Sequence, residues 1–442
     1  MKKFLILISV ILVSACQDDV YKNLRSYIDT LKIVDAHEHL QTPSDSVNFC
    51  LLNTISYFPG DLHSAGAPGF PDKKEGRCNM DSVWDQFAQY YAYCRATSYH
   101  DQFMNTLRIL YGFDKPFLTK EDALVLYDKM FTNHYRNYPA WFEEVYRKGN
   151  FETMVLDQYW DHYNTDVDTA YFSLVCNINS LVSLIGETAR NKRSDANKSL
   201  LKLMNREVLI LKSLDDYISL TDSVLAVFKA RGAVCIKNTL AYSRSIDFED
   251  IDYAEARAIY AKPTPPDEKE IKKLEDFLFH HIVQQSIKLK MPIQIHTGYL
   301  AGNNSMLDNG HPMKLLNLLI KYPEAKFILF HGGYPWVGDF TAIGKQFTNV
   351  YLDIVWLPQI SRTAAIQGLH EILDAVPYNK LFWGGDVTNI DDAIGSLELG
   401  KEVVATVLAE RVEKGWISEG LAREIAKAIF YDNGVEMFQL KK

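Results

Sequence analysis

The chain has 442 residues, of which 47% are hydrophobic and 12% aromatic, a composition typical of a globular protein with a large core and not of a disordered one. Its 47 basic and 56 acidic residues give a formal net charge of −9. An acidic chain without a basic run lacks the positive face that nucleic-acid phosphates require, so nucleic acid is excluded as the expected partner.

The chain begins with a segment typical of a targeting signal. Lys2 and Lys3 precede an apolar run, Phe4 to Val13, that is too short to span a bilayer. Leu12-Val13-Ser14-Ala15-Cys16 then resembles the lipobox of bacterial lipoproteins, in which the cysteine becomes the lipidated N-terminus. The resemblance predicts a signal peptide over residues 1–16 and a domain over 17–442. That domain would be tethered to the membrane only by acyl chains at Cys16, outside the cytoplasm, in the periplasm or at the cell surface.

Short apolar runs, each ending in a polar residue, recur along the rest of the chain and are separated by helical stretches. Continuous apolar runs are typical of parallel strands that are covered on both faces. Eight such strands with helical intervals favour an α/β fold of the (β/α)8 barrel type over an open sheet, and the length accommodates a barrel of ~250 residues with insertions. The predicted strands are Lys32–His37, Thr153–Asp157, Phe172–Asn177, Ala233–Lys237, Pro292–His296, Lys326–His331, Val350–Ile354 and Lys380–Asp386.

The interval between the first two strands is unusually long. We predict a mostly helical insertion over residues 41–150, which leaves from the barrel face where active sites lie. Its interpretation as a lid and its interpretation as a packing or oligomer surface both stay open. Cys50, Cys78 and Cys94 lie in this region and could supply one disulfide, whose pairing the sequence does not fix; the remaining cysteines, Cys176 and Cys235, are expected to be buried apolar residues.

A long helix is predicted between Pro263 and Lys290, because acidic residues at its start and lysines at its end suit the helix dipole. His280 and His281 are neighbours on this helix and point about 100° apart, so they cannot chelate one ion together. We expect both to be ordinary surface residues.

Four histidines and one aspartate lie at positions where their side chains could bind the same metal ion. His37 and His39 alternate along the first strand, so both imidazoles lie on the same side and can meet one ion of the zinc type. His296, His331 and Asp386 each end a later strand. Because the C-terminal ends of the strands in a parallel barrel converge at one mouth, these five residues predict a metal site.

These motifs, with the closing segment Ile429 to Phe438, resemble the amidohydrolase superfamily. The similarity is to its amidohydrolase-related branch, which also includes decarboxylases and lies near uronate isomerase. The resemblance implies one or two divalent ions, with zinc expected first and manganese as the alternative. It implies metal ligands at His37, His39, His296 and, in some members, His331, and a combined metal ligand and proton acceptor at Asp386. His331 would bind a second metal or stabilise a developing oxyanion.

Lys237, which ends the fourth strand, resembles the lysine that is carboxylated and bridges two metals in the phosphotriesterase-like branch. An unpaired buried ammonium is costly, so Lys237 is expected either to be a carboxylated metal ligand or to remain cationic. In the second case it would pair with Asp157 or with a substrate carboxylate. The two interpretations stay open.

Residues after two of the strands are candidate substrate contacts. Tyr242 and Arg244 follow the fourth strand, and the Arg244 guanidinium suits a carboxylate or phosphate. Trp356 follows the seventh. The alternatives are a surface salt bridge for Arg244 and core packing for Trp356.

The sequence predicts a metal-dependent hydrolase that uses metal-activated water on a carbonyl-type centre (amide, ester or lactone) or a phosphoryl centre of a small molecule. One alternative is a metal-dependent decarboxylase or a uronate-isomerase-like enzyme. Another is a lipoprotein that binds ligand without turnover, against which the intact ligand set argues. A Gly-x-Ser-x-Gly elbow, a P-loop and a strand-linked Gly-x-Gly-x-x-Gly are absent from the sequence. The oligomeric state stays open, a homo-oligomer included.

Overall fold

The computed structural model describes residues 19–40, 50–53, 56–69, 78–194 and 197–440, without the side chains of residues 53, 133–136 and 193–194. The predicted lipidation residue, Cys16, lies outside these residues, so the lipid anchor stays a prediction. Within the described part of the chain, no helix is both long and apolar enough to cross a membrane.

Eight strands form one sheet in the order β1-β2-β3-β6-β7-β8-β9-β10, and the registered neighbours from β2 to β9 pair in parallel. Each of the eight predicted runs overlaps one of these strands, so the predicted (β/α)8 barrel is confirmed. A separate antiparallel pair consists of β4 and β5. The strands are β1 (Ile33–Glu38), β2 (Phe151–Leu156), β3 (Phe172–Asn177), β4 (Arg193–Ser194), β5 (Leu209–Ile210), β6 (Cys235–Asn238), β7 (Ile293–Ile295), β8 (Phe327–Leu329), β9 (Val350–Asp353) and β10 (Leu381–Phe382).

The chain after β10 runs beside β1. Ala36 donates its backbone N–H to Trp383 (3.1 Å), Asp386 donates to His37 (2.9 Å), and His39 donates to Val387 (2.9 Å). These bonds hold the end of the last strand against the first strand, which is what a closed barrel requires.

Helices occupy the intervals between the strands. They are α1 (19–29), α2 (Phe58–Ser64), α3 (Met80–Cys94), α4 (Ser98–Tyr111), α5 (Lys120–Lys148), α6 (Asn179–Asn191), α7 (Lys198–Leu203), α8 (Leu214–Ala230), α9 (Tyr253–Ala261), α10 (Glu268–Leu289), α11 (Leu316–Lys321), α12 (Val337–Gln346), α13 (Leu357–Ile360), α14 (Arg362–Ala375), α15 (Ile390–Glu413), α16 (Glu419–Lys427) and α17 (Asn433–Met437).

The long helix α10 starts five residues later than the sequence predicted, because Asp267 and Glu270 form a capping box at its first turn. The expectation that His280 is a surface residue was wrong. Its side chain is buried and its Nδ1 lies 3.0 Å from the Tyr322 hydroxyl. His281 is partly exposed and pairs with Asp222 at 2.6 Å.

The described residues between β1 and β2 include helices α2 to α5. A disulfide joins Cys50 to Cys78, which settles the pairing that the sequence left open. Cys94 is a buried free thiol, as are Cys176 and Cys235.

The chain divides into two compact units. The first consists of the described residues within 1–152, 301–304 and 354–436, and it contains β1 and β10. The second consists of the described residues within 153–300, 305–353 and 437–442, and it contains β3 and β6 to β9.

Two buried carboxylates at the start of α15 anchor the helices of the insertion within the first unit. Asp391 accepts hydrogen bonds from the Tyr111 hydroxyl (2.5 Å) and the Trp141 indole (2.6 Å). Asp392 accepts from the Ser56 backbone and hydroxyl and from the Gln102 amide. Because hydrogen bonds between buried groups are directional, they fix these helices against α15.

We expect Asp392 to make the stability of the protein pH-dependent. Burial raises its pKa to about 7, outweighing the hydrogen bonds that lower it, so the native state retains a proton that the unfolded chain has released above pH ~4. The unfolding free energy therefore falls, by up to about 4 kcal/mol, as pH rises from ~4 to about 7, and is then level. Thermal unfolding at pH 5 and pH 8 measures this effect. The decrease in Tm between pH 5 and pH 8 should be smaller for Asp392→Asn than for the wild type. The exposed control Asp374→Asn should lose as much as the wild type, and equal losses in all three proteins would contradict the assignment.

Candidate metal centre

Three side chains that the sequence singled out lie together in the first unit. The Nε2 atoms of His37 and His39 are 3.3 Å apart, and Asp386 Oδ1 lies 3.7 Å from His37 Nε2 and 3.1 Å from His39 Nε2. His37 and Asp386 are buried, whereas 14% of the His39 side chain is exposed. Two imidazole nitrogens and one carboxylate oxygen thus converge on one point that solvent reaches beside His39.

This donor set fits a divalent transition metal. The candidate ligand atoms of His37, His39 and Asp386 all lie within 4.8 Å of one another. Ligands bound tetrahedrally at ~2.0–2.1 Å from one zinc ion are ~3.3 Å apart, close to the spacings found here. Three protein ligands leave further coordination positions open, as catalytic sites require.

The local backbone explains how Asp386 reaches the two histidines. Asp386 has a φ of +55°, in the left-handed region that non-glycine residues seldom adopt, and the backbone bond to His37 holds it there. Gly384 and Gly385 precede it. A Cβ on Gly384 would lie 2.8 Å from the His37 backbone nitrogen, and one on Gly385 would lie 2.1 Å from Glu38 Oε1. The two glycines therefore allow the end of β10 to approach β1 closely.

Two further carboxylates support the cluster, and sequence reasoning gave them no role. Asp35 Oδ1 accepts from the backbone of His37 (3.2 Å) and Gly385 (3.0 Å), and Glu38 Oε2 accepts from Val387 (2.7 Å). Burial raises the pKa of Asp35 to about 7 and that of Glu38 well above its usual range, and the charge of Asp35 raises the latter further. One retained proton between these carboxyl groups avoids two adjacent buried charges. The signal in the sequence was two acidic residues within a strand that is fully buried.

A second pair of histidines lies in the second unit. His331 Nε2 is 3.1 Å from His296 Nδ1, and His296 Nε2 is 2.8 Å from the Tyr299 carbonyl. The carbonyl can only accept, so His296 Nε2 carries a hydrogen and Nδ1 offers a lone pair. His331 has a φ of +66°, and the Asp353 carboxylate accepts its backbone N–H at 2.8 Å. The separation of the two ring nitrogens suits two ligands of one ion.

Lys237 is buried at the end of β6, in register with Asn177 of β3 and Gln294 of β7. Its Nζ lies 3.4 Å from the centroid of the Phe330 ring. A cation is attracted to the face of an aromatic ring, whereas a carboxylated lysine would bring negative charge there. The contact fits a cationic Lys237, and the carboxylated and cationic interpretations both stay open.

The three predicted substrate residues have different surroundings. The Tyr242 side chain is 46% exposed and its ring lies 4.8 Å from that of His296, so it remains a candidate contact. Trp356 is buried, with its ring 4.5 Å from that of Tyr57, which matches the packing alternative.

The Arg244 guanidinium is paired with carboxylates of the protein itself. Its guanidinium donates to Glu275 at 3.0 Å and to Asp276, and its side chain is 14% exposed. An arginine held by two carboxylates of α10 has little charge left for a substrate, so the ion-pair alternative matches the structure. The ion pairs of Arg244 with Glu275 and Asp276 are mostly buried, whereas the sequence-based alternative was a salt bridge on the surface.

Known proteins with similar sequences give evidence on this chain that is independent of the geometry of the histidine and aspartate cluster. Residues 249–440 match the family model described as amidohydrolase. Protein fluG of Emericella nidulans is 26% identical over 228 residues, which are 47% of this chain and 26% of that protein. The chain therefore spans only about a quarter of the length of this curated relative.

Solved structures share the fold at low sequence identity. The uronate isomerase of Thermotoga maritima is 16% identical with a TM-score of 0.75, over 95% of this chain and 97% of that one. The glucuronate isomerase of Caulobacter crescentus is 15% identical with a TM-score of 0.74, over 97% of this chain and 95% of that one. Residues 249–440, within which His296, His331 and Asp386 lie, are thus similar to the amidohydrolase family model, and the chain shares its barrel fold with these two isomerases.

Proposed function

We propose that this chain is a metal-dependent hydrolase that acts with water on a carbonyl-type or phosphoryl centre of a small molecule. The observation that carries the proposal is the cluster of His37, His39 and Asp386, whose spacing suits one divalent ion. The amidohydrolase family match over residues 249–440 supports it. We also propose that the enzyme is lipid-anchored through Cys16 outside the cytoplasm, which rests on the lipobox resemblance alone.

The chain's own residues have separate tasks in this proposal. His37, His39 and Asp386 would hold the ion, which would supply a Lewis acid and lower the pKa of bound water toward ~7. Asp386 accepts the proton of the attacking water and returns it to the leaving group. His296 and His331, at the ends of β7 and β8, are proposed as further ligands, and His331 alternatively stabilises the developing oxyanion.

A second candidate is a metal-dependent isomerase or decarboxylase that acts on a carboxylate substrate. The cationic interpretation of Lys237, which its contact with the Phe330 ring allows, supports this candidate, because a lysine that stays cationic is suited to bind a carboxylate. The fold shared with the two isomerases is compatible with this candidate. A two-metal site with carboxylated Lys237 would instead favour hydrolysis.

Metal content per chain tests both candidates. We expect elemental analysis of the purified protein, expressed with bicarbonate, to find one or two equivalents of zinc or manganese. The double variant His37→Ala/His39→Ala should lose the metal, since two of the three clustered ligands are removed. Two equivalents direct the search to esters, lactones, amides and phosphotriesters, and one equivalent raises decarboxylase and isomerase assays to equal rank.

The matched control replaces two histidines outside both histidine pairs, His311 and His370, which pair with Asp339 and Glu410. This control should keep its metal. A wild-type chain that holds no metal after reconstitution with zinc and with manganese would overturn the enzyme proposal and favour ligand binding without turnover.

A further inference from the structure

A cavity of about 720 Å³ lies in the second unit, where the loop after β2 meets α6 and α7. Its volume falls within the range of ~300–1,000 Å³ typical of small-molecule sites. None of the candidate metal ligands lines it, and neither does Lys237. The cavity is therefore a separate feature that the proposed hydrolase does not use.

Hydrogen bonds hold the walls of this cavity in place. The side chains of Gln158 and Asn164 bond at 2.8 Å across the loop. Asp161 accepts from the Ser199 hydroxyl at 3.0 Å, which ties the loop to α7. His162 Nδ1 bonds with the Ser180 hydroxyl, which ties the loop to α6. A site that is already formed loses less entropy when a ligand binds.

Two adjacent aromatic side chains form one corner of the cavity. Tyr159 is 54% exposed and Trp160 is 45% exposed, although large aromatic rings are usually buried. Their centroids are 5.3 Å apart and their planes meet at 79°, so the two ring faces are nearly perpendicular. Neighbouring exposed rings at a concave surface mark a place where an apolar ring face can be covered.

Apart from Leu184 and Tyr163, the rest of the lining is polar and nearly balanced in charge. It offers the carboxylates of Asp161 and Glu187, the Lys198 ammonium, and hydroxyl groups from Ser180 and other serines. Burial lowers the pKa of His162, so its imidazole is neutral at pH 7. Mixed donors and acceptors without a cationic cluster suit neither a fatty chain nor a polyanion. They suit a molecule with hydroxyl groups around its edge.

We propose that this cavity is a binding site for a neutral saccharide, independent of the metal centre. A pyranose ring has one face of C–H groups, which stacks on Trp160 or Tyr159, and equatorial hydroxyls, which bond with the carboxylates, the ammonium and the serines. The volume accommodates one or two sugar rings.

Saturation-transfer NMR and calorimetry with cellobiose, maltose and N,N′-diacetylchitobiose test the proposal. We expect at least one of these disaccharides to bind the wild-type protein with a Kd of about 1–10 mM. Trp160→Ala should weaken that binding by about tenfold or more, which corresponds to ~1.4 kcal/mol, and Trp160→Phe should restore most of it because a ring remains. Both side chains are exposed, and equal Tm values would show that the variants fold.

The exposed aromatic Trp416, 55% exposed before α16, is the matched control, and Trp416→Ala should bind as the wild type does. Binding should also persist in metal-stripped protein and in His37→Ala/His39→Ala, so the proposal survives if the hydrolase proposal fails. Absence of binding by all three sugars would overturn it. So would equal binding by Trp160→Ala and Trp416→Ala, or binding that disappears with the metal.

Discussion

We expect Asp386→Asn to lower kcat by about 10²- to 10⁴-fold while the protein remains folded. Asp386 Oδ1 lies 3.1 Å from His39 Nε2, and its backbone is bound to His37, so it is the carboxylate positioned to take a proton at the metal cluster. The amide of asparagine has the same shape and can still offer an oxygen to the ion, but it cannot accept the proton. The measurement is kcat on an ester, lactone or phosphotriester that the wild type hydrolyses, alongside metal content and Tm.

The exposed residue Asp432, which pairs with Lys427 at 3.1 Å, provides the control. Asp432→Asn changes the same functional group without touching the cluster, and it should keep the wild-type rate. If Asp386→Asn retained a near-normal kcat with a full metal complement, Asp386 would not be the proton acceptor. A loss of metal together with a loss of rate would assign Asp386 a ligand role and leave the proton acceptor to be found.

The fold was predictable because a barrel strand that is buried on both faces appears in the sequence as a short run of mostly apolar residues. The run Phe172–Asn177 is apolar at four of its six positions, and β3 has these bounds in the structure. The predicted last strand, Lys380–Asp386, was less accurate. Its regular part is Leu381–Phe382, because the two glycines and the left-handed Asp386 turn the chain out of the ladder.

The metal cluster was predictable in part because alternation along β1 sets His37 and His39 on one side without any long-range information. Partners that depend on tertiary approach were not. Arg244 pairs with Glu275 and Asp276, more than 30 positions away, and His280 is buried against Tyr322. Nothing in the local pattern of charge or hydropathy distinguishes these pairings from solvent exposure, so they need the packed structure.

The hardest part of the site to predict from sequence was the contact that Asp35 and Glu38 make with the chain after β10. A strand with two acidic residues is unusual, but only the approach of Gly385 and Val387 shows what they bind. That approach is possible because residues 384 and 385 lack side chains, since a Cβ at either position would meet β1 at less than 3.0 Å. The glycines before Asp386 therefore shape the candidate metal centre, although neither has a side chain that could bind an ion.

We expect Gly384→Ala to weaken metal binding by at least about tenfold and to lower the unfolding free energy by ~1–3 kcal/mol, the usual range for overpacking. The added methyl group would lie 2.8 Å from the His37 backbone nitrogen, 2.9 Å from Asp35 Oδ1 and 3.0 Å from Val355 Cγ2. Since backbone cannot rotate away as a side chain can, β1 must move from the chain after β10, and His37 then separates from Asp386. Titration of the metal-stripped protein with zinc, together with Tm, measures both effects.

Gly420→Ala in α16 is the control, because the nearest neighbour of its added methyl group would be 3.8 Å away, and it should change neither quantity. Unchanged zinc affinity in Gly384→Ala would mean that the spacing of His37 and Asp386 does not depend on this close contact.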